Sequence, residues 1–64
     1  MEKEIVINSN KWIKVVLSKE RDFYVVFNIE WQKESENTAT AKINNLKVFS
    51  TEEEAKQFFN NYTI

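Results

Sequence analysis

Four residue types are missing from this 64-residue sequence: cysteine, histidine, glycine and proline. Without cysteine there is no disulfide framework and no thiol nucleophile, and without histidine the commonest general base and metal ligand are lost. The absence of glycine excludes phosphate-binding P-loops and dinucleotide-binding fingerprints. We therefore expect a protein that is not an enzyme and that holds no metal and no cofactor.

The carboxylates that remain stand in contexts that favour solvation. Glu34 and Glu36 belong to a charged stretch, and Glu52, Glu53 and Glu54 open a predicted helix. Acid and base catalysis needs a pocket that perturbs the pKa of such a group. Glutamates at a helix start instead complement the positive end of the helix dipole, so we expect no catalytic residue.

Charge and length indicate a small globular domain. Nine basic and ten acidic residues give a net charge of −1, so no positive field attracts the chain to nucleic acid. A hydrophobic content of 42% argues against disorder, and residues 1–64 make one domain. The sequence shows neither a signal-peptide pattern nor an apolar run of roughly 18 residues, so we expect a soluble, cytoplasmic protein without membrane contact.

Alternating apolar and polar residues predict strands over the first three quarters of the chain. The predicted strands cover residues 4–8, 11–18, 23–32 and 38–43. Two charged stretches, 19–22 and 33–37, predict exposed hairpin loops. Because glycine is absent, Asn44-Asn45 supplies the residues that tolerate positive φ, and it predicts either a type I′ turn or a bulge.

The last quarter of the chain predicts one capped amphipathic helix. Ser50 with Glu53, or Thr51 with Glu54, has the spacing of a capping box. The apolar stripe that follows, at i, i+3, i+4 and i+7, consists of Ala55, Phe58, Phe59 and Tyr62. A helix of about ten residues is not stable alone, so we expect it to form by docking this stripe on the sheet.

Strands first and one helix last predict an α+β fold, a small antiparallel β-sheet meander of three to five strands followed by one C-terminal helix packed on one sheet face. The larger apolar set of the sheet is expected beneath the helix: Ile13, Val15, Leu17, Phe23, Val25, Phe27, Ile29 and Trp31. Ala39 and Ala41 are expected there too, because small side chains leave room for Phe58 or Phe59.

The opposite face of the sheet, which one helix cannot cover, is the candidate binding surface. It is predicted to carry Trp12, Lys14, Val16, Tyr24, Val26, Asn28, Thr40 and Lys42. Three interpretations stay open. These residues pack across strands on a partly wet face, or they contact a protein, either a second copy or a foreign partner. In the third, Trp12 and Tyr24 stack on single-stranded bases while Lys14 and Lys42 hold phosphate.

The layout of strands followed by a helix resembles that of Arm-type integrase DNA-binding domains and AP2-type domains. An F-x-T-x-E-E-A helix start carries the resemblance, and its residues here are Phe49, Thr51, Glu53, Glu54 and Ala55. The resemblance implies that these residues are structural and that DNA contacts come from basic and aromatic residues of the sheet. The residues of that kind here are Lys11, Lys14 and Lys42 with Trp12 and Tyr24.

Together these features favour a non-catalytic macromolecular binding protein. The leading hypothesis is a small protein-binding inhibitor or adaptor of the kind found in phages and mobile elements, such as an anti-CRISPR inhibitor, by analogy alone. One alternative is a small nucleic-acid-binding regulatory domain that uses the open sheet face, which the net charge disfavours. The other is a self-associating structural subunit, such as a homodimer.

Overall fold

The computed structural model describes residues 1–62, which form four strands and one helix. The elements are β1 (Glu2–Asn8), β2 (Lys11–Lys19), β3 (Tyr24–Ser35), β4 (Thr38–Phe49) and α1 (Glu52–Asn60). The strands form one antiparallel sheet in the order β1-β2-β3-β4, so every connection joins neighbouring strands. The predicted α+β meander with a C-terminal helix is confirmed.

Asparagine shapes two irregular points of the sheet. The backbone amide of Asn10 donates to Oδ1 of Asn8 over 2.8 Å, which closes the turn between β1 and β2. Asn45 has a φ of 55°, and the pairing of β4 with β3 shifts register at this point. Asn44-Asn45 is therefore a bulge within β4, the second of the two predicted alternatives.

The helix begins at the later of the two predicted caps. Oγ1 of Thr51 accepts from the backbone amide of Glu54 over 3.3 Å and donates to the carboxylate of the same residue over 2.9 Å. Beyond this cap, Ala55 and Phe59 are buried against the sheet, and Phe58 packs beside them. The sheet side of this core consists of Ile13, Val15, Leu17 and Val26.

The pairing of β2 with β3 overturns the predicted orientation of β3. Lys19 pairs with Tyr24 and Leu17 with Val26, so odd residues of β2 share a face with even residues of β3. The loop between them has four residues, and an even count pairs residues of opposite parity. The prediction that the helix covers the odd residues of β3 is therefore wrong for Val25, Phe27, Ile29 and Trp31.

Three further expectations about the helix side are also corrected. Phe23 lies in the loop before β3 and is exposed. Ala39 and Ala41 pair with Lys33 and Trp31, so they lie on the face away from the helix and leave no room for its phenylalanines. Directly paired residues share a face, so the orientation of β3 also determines the face on which the two alanines of β4 lie.

Val26 and Val25 allow the register to be tested with one matched substitution. Val26→Thr places a hydroxyl in the core beneath the helix, and we expect it to lower the free energy of unfolding by roughly 1–3 kcal/mol. Val25→Thr adds the same hydroxyl on the other face and should lower the free energy of unfolding clearly less. Urea denaturation followed by circular dichroism measures both, and equal losses would contradict the register.

The helix cap is tested by the two neighbouring hydroxyl residues. We expect Thr51→Ala to lower the free energy of unfolding by about 0.5–2 kcal/mol, because the amide of Glu54 loses its acceptor. Ser50→Ala is the control and should be nearly neutral. Thermal unfolding of the two variants gives the comparison, and a larger loss for Ser50→Ala would place the cap one residue earlier.

Candidate functional site

The helix lies on one face of the sheet and leaves the other, here called the open face, uncovered. Direct strand pairing assigns the residues of this face, since paired residues of antiparallel strands point to the same side. Its apolar members are Val6, Trp12, Val16, Val25, Phe27, Ile29, Trp31, Ala39, Ala41, Ile43 and Val48. Leu46 joins them, because it alternates with Lys47, whose ammonium lies over the Phe58 ring on the helix side.

The structure divides the seven predicted binding residues between the two faces. Trp12, Lys14 and Val16 lie on the open face, as expected. The other four lie on the helix side, which corrects their placement: Tyr24, Val26, Asn28 and Lys42. Thr40, which was expected beside them, is also on the helix side, where it pairs with Gln32. The physical reason is the even-numbered loop between β2 and β3, which reverses the parity of β3 and of the strand paired with it.

The four relocated residues have structural contacts on the helix side. Val26 is 0% exposed and Asn28 is 3% exposed, so neither is available to a partner. The side-chain amide of Asn28 donates to the hydroxyl of Tyr62 over 2.7 Å. Tyr24 packs against the core, and Lys42 pairs with Glu30 across the sheet.

Sequence reasoning missed most of the open face. Phe27, Ile29 and Trp31 were expected in the core, whereas Ile43 and Val48 were given no role. Ile43 is 64% exposed and Val48 is 60% exposed, and both lie on the edge strand β4. The signal that could have found them is the four-residue charged stretch at 19–22, because its even length implies opposite parity on the two flanking strands.

A pair of stacked tryptophans belongs to the open face. Trp12 of β2 and Trp31 of β3 are direct partners in the sheet, and their rings are stacked with centroids 6.2 Å apart and an angle of 8° between planes. Such pairs stabilise neighbouring strands by about 0.2–1 kcal/mol. Tryptophan is also enriched among the residues that anchor protein interfaces.

Charge on the open face is concentrated on the β1 side. Lys14 of β2 lies opposite Glu4 and forms an ion pair with Glu2, with 3.3 Å between nitrogen and oxygen. Lys33 lies beyond Trp31 towards the turn into β4. From Val25 to Trp31, the open-face residues of β3 and their partners on β4 carry no charge.

The helix side carries its polar groups where the helix does not reach. The ammonium of Lys11 lies 2.8 Å from Glu30, and Asn44 donates to the same carboxylate over 3.2 Å. The hydrogen bond and charge of Lys11 hold the pKa of Glu30 below its usual value. Near the helix end, Lys3 donates to the carbonyl of Phe59 over 2.6 Å. These contacts satisfy polar groups within the fold.

The depressions in the described surface include two that are open to solvent. One, of about 640 Å³, lies at the end of the helix between Phe49, Phe58 and Tyr62. The other, of about 460 Å³, lies beside Trp12 and the turn between β3 and β4. Within residues 1–62 no group of three acidic, histidine or cysteine side chains could hold a metal ion. No helix in that range has the length and apolar character needed to cross a membrane.

The fold and its uncovered face define a small α+β protein in which a four-stranded antiparallel meander carries one C-terminal helix. Comparison with protein-family models, curated proteins and solved structures finds no match to this chain.

The two lowered pKa values can be tested against each other. The ammonium of Lys56 lowers the pKa of Glu52 as Lys11 lowers that of Glu30, in both cases chiefly through a hydrogen bond. We expect Lys11→Met to raise the pKa of Glu30 and leave Glu52 unchanged, and Lys56→Met to do the reverse. Carboxyl titrations by NMR measure all four values.

The lowered pKa of Glu30 also predicts how the stability of the fold changes with pH. Because the folded pKa of Glu30 lies below its unfolded value, its contribution to folding is present above the unfolded pKa and is lost as the pH falls through the folded one. Lys11→Met should therefore reduce the acid sensitivity of folding. An unchanged pKa of Glu30 in this variant would contradict the ion pair.

Proposed function

We propose that this chain is a non-catalytic protein-binding module whose working surface is the open face. One observation carries the proposal: from Val25 to Trp31 of β3, and along the paired part of β4, the open face is apolar and carries no charge, although no element within residues 1–62 covers it. The bound protein can be foreign, as for an inhibitor or adaptor, or a second copy, as for a self-associating subunit. Both would use the same surface.

The two uncovered regions of the same sheet provide the comparison that supports this proposal. The nine-residue helix is only about 14 Å long, whereas a strand of twelve residues extends about 40 Å. Part of the helix side is therefore also uncovered, and it is polar, with Lys11, Glu30, Thr40 and Lys42. Where this sheet meets water on the helix side it carries polar residues, whereas the open face is apolar from Val25 to Trp31 of β3 and along the paired part of β4.

The energetic consequence favours a partner. Fully burying one Val, Leu or Ile side chain contributes roughly 1.5–3 kcal/mol relative to leaving it exposed. Val6, Ile43, Leu46 and Val48 are each more than half exposed. Monomeric proteins rarely expose contiguous apolar patches larger than a few hundred square ångströms, and larger ones mark interaction sites.

Nucleic acid is less well supported as the bound molecule. The net charge is −1, and the two lysines once expected to hold phosphate are separated by the sheet. Lys14 is paired with Glu2, and Lys42 lies on the helix side opposite Glu30. The aromatic rings of Trp12 and Trp31 already stack on each other. A groove for single-stranded nucleic acid needs a basic track beside exposed aromatic faces.

The pKa values of the carboxyl groups also support a function without catalysis. General acid or base catalysis near neutral pH needs a carboxyl group whose pKa is raised towards 7. Within residues 1–62, the carboxyl groups with shifted pKa values are those of Glu30 and Glu52, and lysine partners lower both values, which holds the two groups ionised. Their environment is that of surface ion pairs.

Ile43 and Thr40 provide a matched test of the open face. Both are exposed residues of β4, and they lie on opposite faces of the sheet. We expect Ile43→Lys to abolish retention of bound protein and Thr40→Lys to leave it intact, because only the first places a charge on the apolar surface. The measurement is mass spectrometry of the proteins that the tagged chain retains from a lysate of its source cells. Because these cells also make the untagged chain, a second copy and a foreign protein can both be detected.

Two results would contradict the proposal. Equal retention by both variants would move the contact away from the open face. Binding of single-stranded oligonucleotides that weakens steeply with salt, and that Lys14→Ala reduces, would favour the nucleic-acid alternative instead.

A further inference from the structure

We infer that the protein bound by the open face is a second copy of this chain. In this arrangement the two open faces pack against each other around a twofold axis that runs along β3. Strand β2 of each copy then lies over β4 of the other, and β1 stays at the rim. The inference rests on the proposed function, since it names the occupant of the same surface.

The area of the open face is sufficient for such a dimer. The two longer dimensions of the chain, 40 and 21 Å, bound a sheet face of about 800 Å². Three of the four strands take part, so each copy would bury on the order of 600 Å² and the pair about 1,200 Å². This is the lower limit of the standard size for specific protein interfaces.

The exposed surface of the single chain is large for its mass. A folded monomer of 7.7 kDa is expected to expose about 4,300 Å². This chain exposes 4768 Å². Within residues 1–62, the large side chains with almost no exposure are Val15 and Val26. Oligomerisation is one of the common means by which a small domain enlarges its core.

Two rows of the open face are complementary in size across such an axis. In one row across the sheet, Trp12 of β2 and Ala41 of β4 stand on either side of Trp31. In another row, Ser18 of β2 and Val48 of β4 stand on either side of Val25. When β2 of one copy lies over β4 of the other, the larger residue of each row meets the smaller one. Aligned sheets pack about 10 Å apart, which requires such interdigitation.

Charge complementarity supports the same arrangement. The acidic residues of the open face, Glu2 and Glu4, lie on β1 and stay in solvent at the rim. Lys14 of one copy lies over Ile43 of the other, with its ammonium directed to the rim by its ion pair with Glu2. From Val25 to Trp31, no residue of β3 or its partners on β4 brings a charge into the interface, and Lys33 lies beyond Trp31 at the end of the sheet.

The test is the oligomeric state of the untagged chain, measured by sedimentation equilibrium up to millimolar concentration. We expect a mass twice that of the 7.7 kDa chain. Ile43→Lys should raise the dissociation constant at least about a hundredfold, because a second ammonium would face Lys14 of the other copy. Thr40→Lys, on the same strand but the helix side, should leave the constant unchanged.

A second pair of variants tests the position of the axis. Ile43→Glu should weaken the dimer less than Ile43→Lys, since its carboxylate would face Lys14 of the other copy. Equal weakening would overturn the placement of β2 over β4. Circular dichroism checks that each variant is folded, and Val48→Lys replaces Ile43→Lys on the same face if the latter is not.

The outcomes separate this inference from the proposed function. A wild-type chain that stays at 7.7 kDa overturns the inference. If Ile43→Lys still abolishes retention of a foreign protein, the proposed function survives and the occupant is that protein. A dimer that Ile43→Lys leaves intact overturns the face-to-face arrangement and indicates pairing through the β4 edge. A wild-type chain that neither self-associates nor retains a foreign protein overturns both proposals.

Discussion

The pairing of Lys19 with Tyr24 across the four-residue loop is the constraint on which the rest of the structure depends. It sets the parity of β3 relative to β2, and β4 follows through its own pairing with β3. A shift of one residue would move every side chain of β3 to the other face. The composition of both sheet faces, and with it the candidate site, therefore follows from the number of residues in this loop and from the bulge at Asn44-Asn45, which brings Leu46 and Val48 to the open face.

The helix then assigns different roles to the two faces. Its apolar stripe covers part of one face, and Thr51 and Lys3 satisfy backbone groups at its two ends. The rest of that face meets water through Lys11, Glu30 and Lys42. Within residues 1–62 no element covers the open face, which is apolar from Val25 to Trp31 of β3 and along the paired part of β4. The surface that the fold leaves available for binding is therefore the apolar one.

Much of the fold was predictable because it depends on local patterns. Period-two alternation located the strands, and the spacing of Thr51 and Glu54 located the helix cap. The charged stretches indicated both loops, but the predicted loop at 33–37 was too long, because Lys33 to Ser35 belong to β3. The choice between turn and bulge at Asn44-Asn45 was left open, since both use an asparagine with positive φ. Of the predicted site, only Trp12, Lys14 and Val16 were placed on the correct face, because β2 was oriented correctly relative to the helix and β3 was not.

The sequence by itself determined the class of the fold, the position of its elements and the chemistry that this chain lacks. These follow from residue types and from periods that act within a few residues of each other. Only the tertiary structure decided which apolar set the helix covers, since both sets along β3 are apolar enough to form a core. That choice depends on strand register, and register is a relation between residues on different strands. The uncovered set, with Phe27, Ile29 and Trp31 at its centre, is the surface that the proposed function uses.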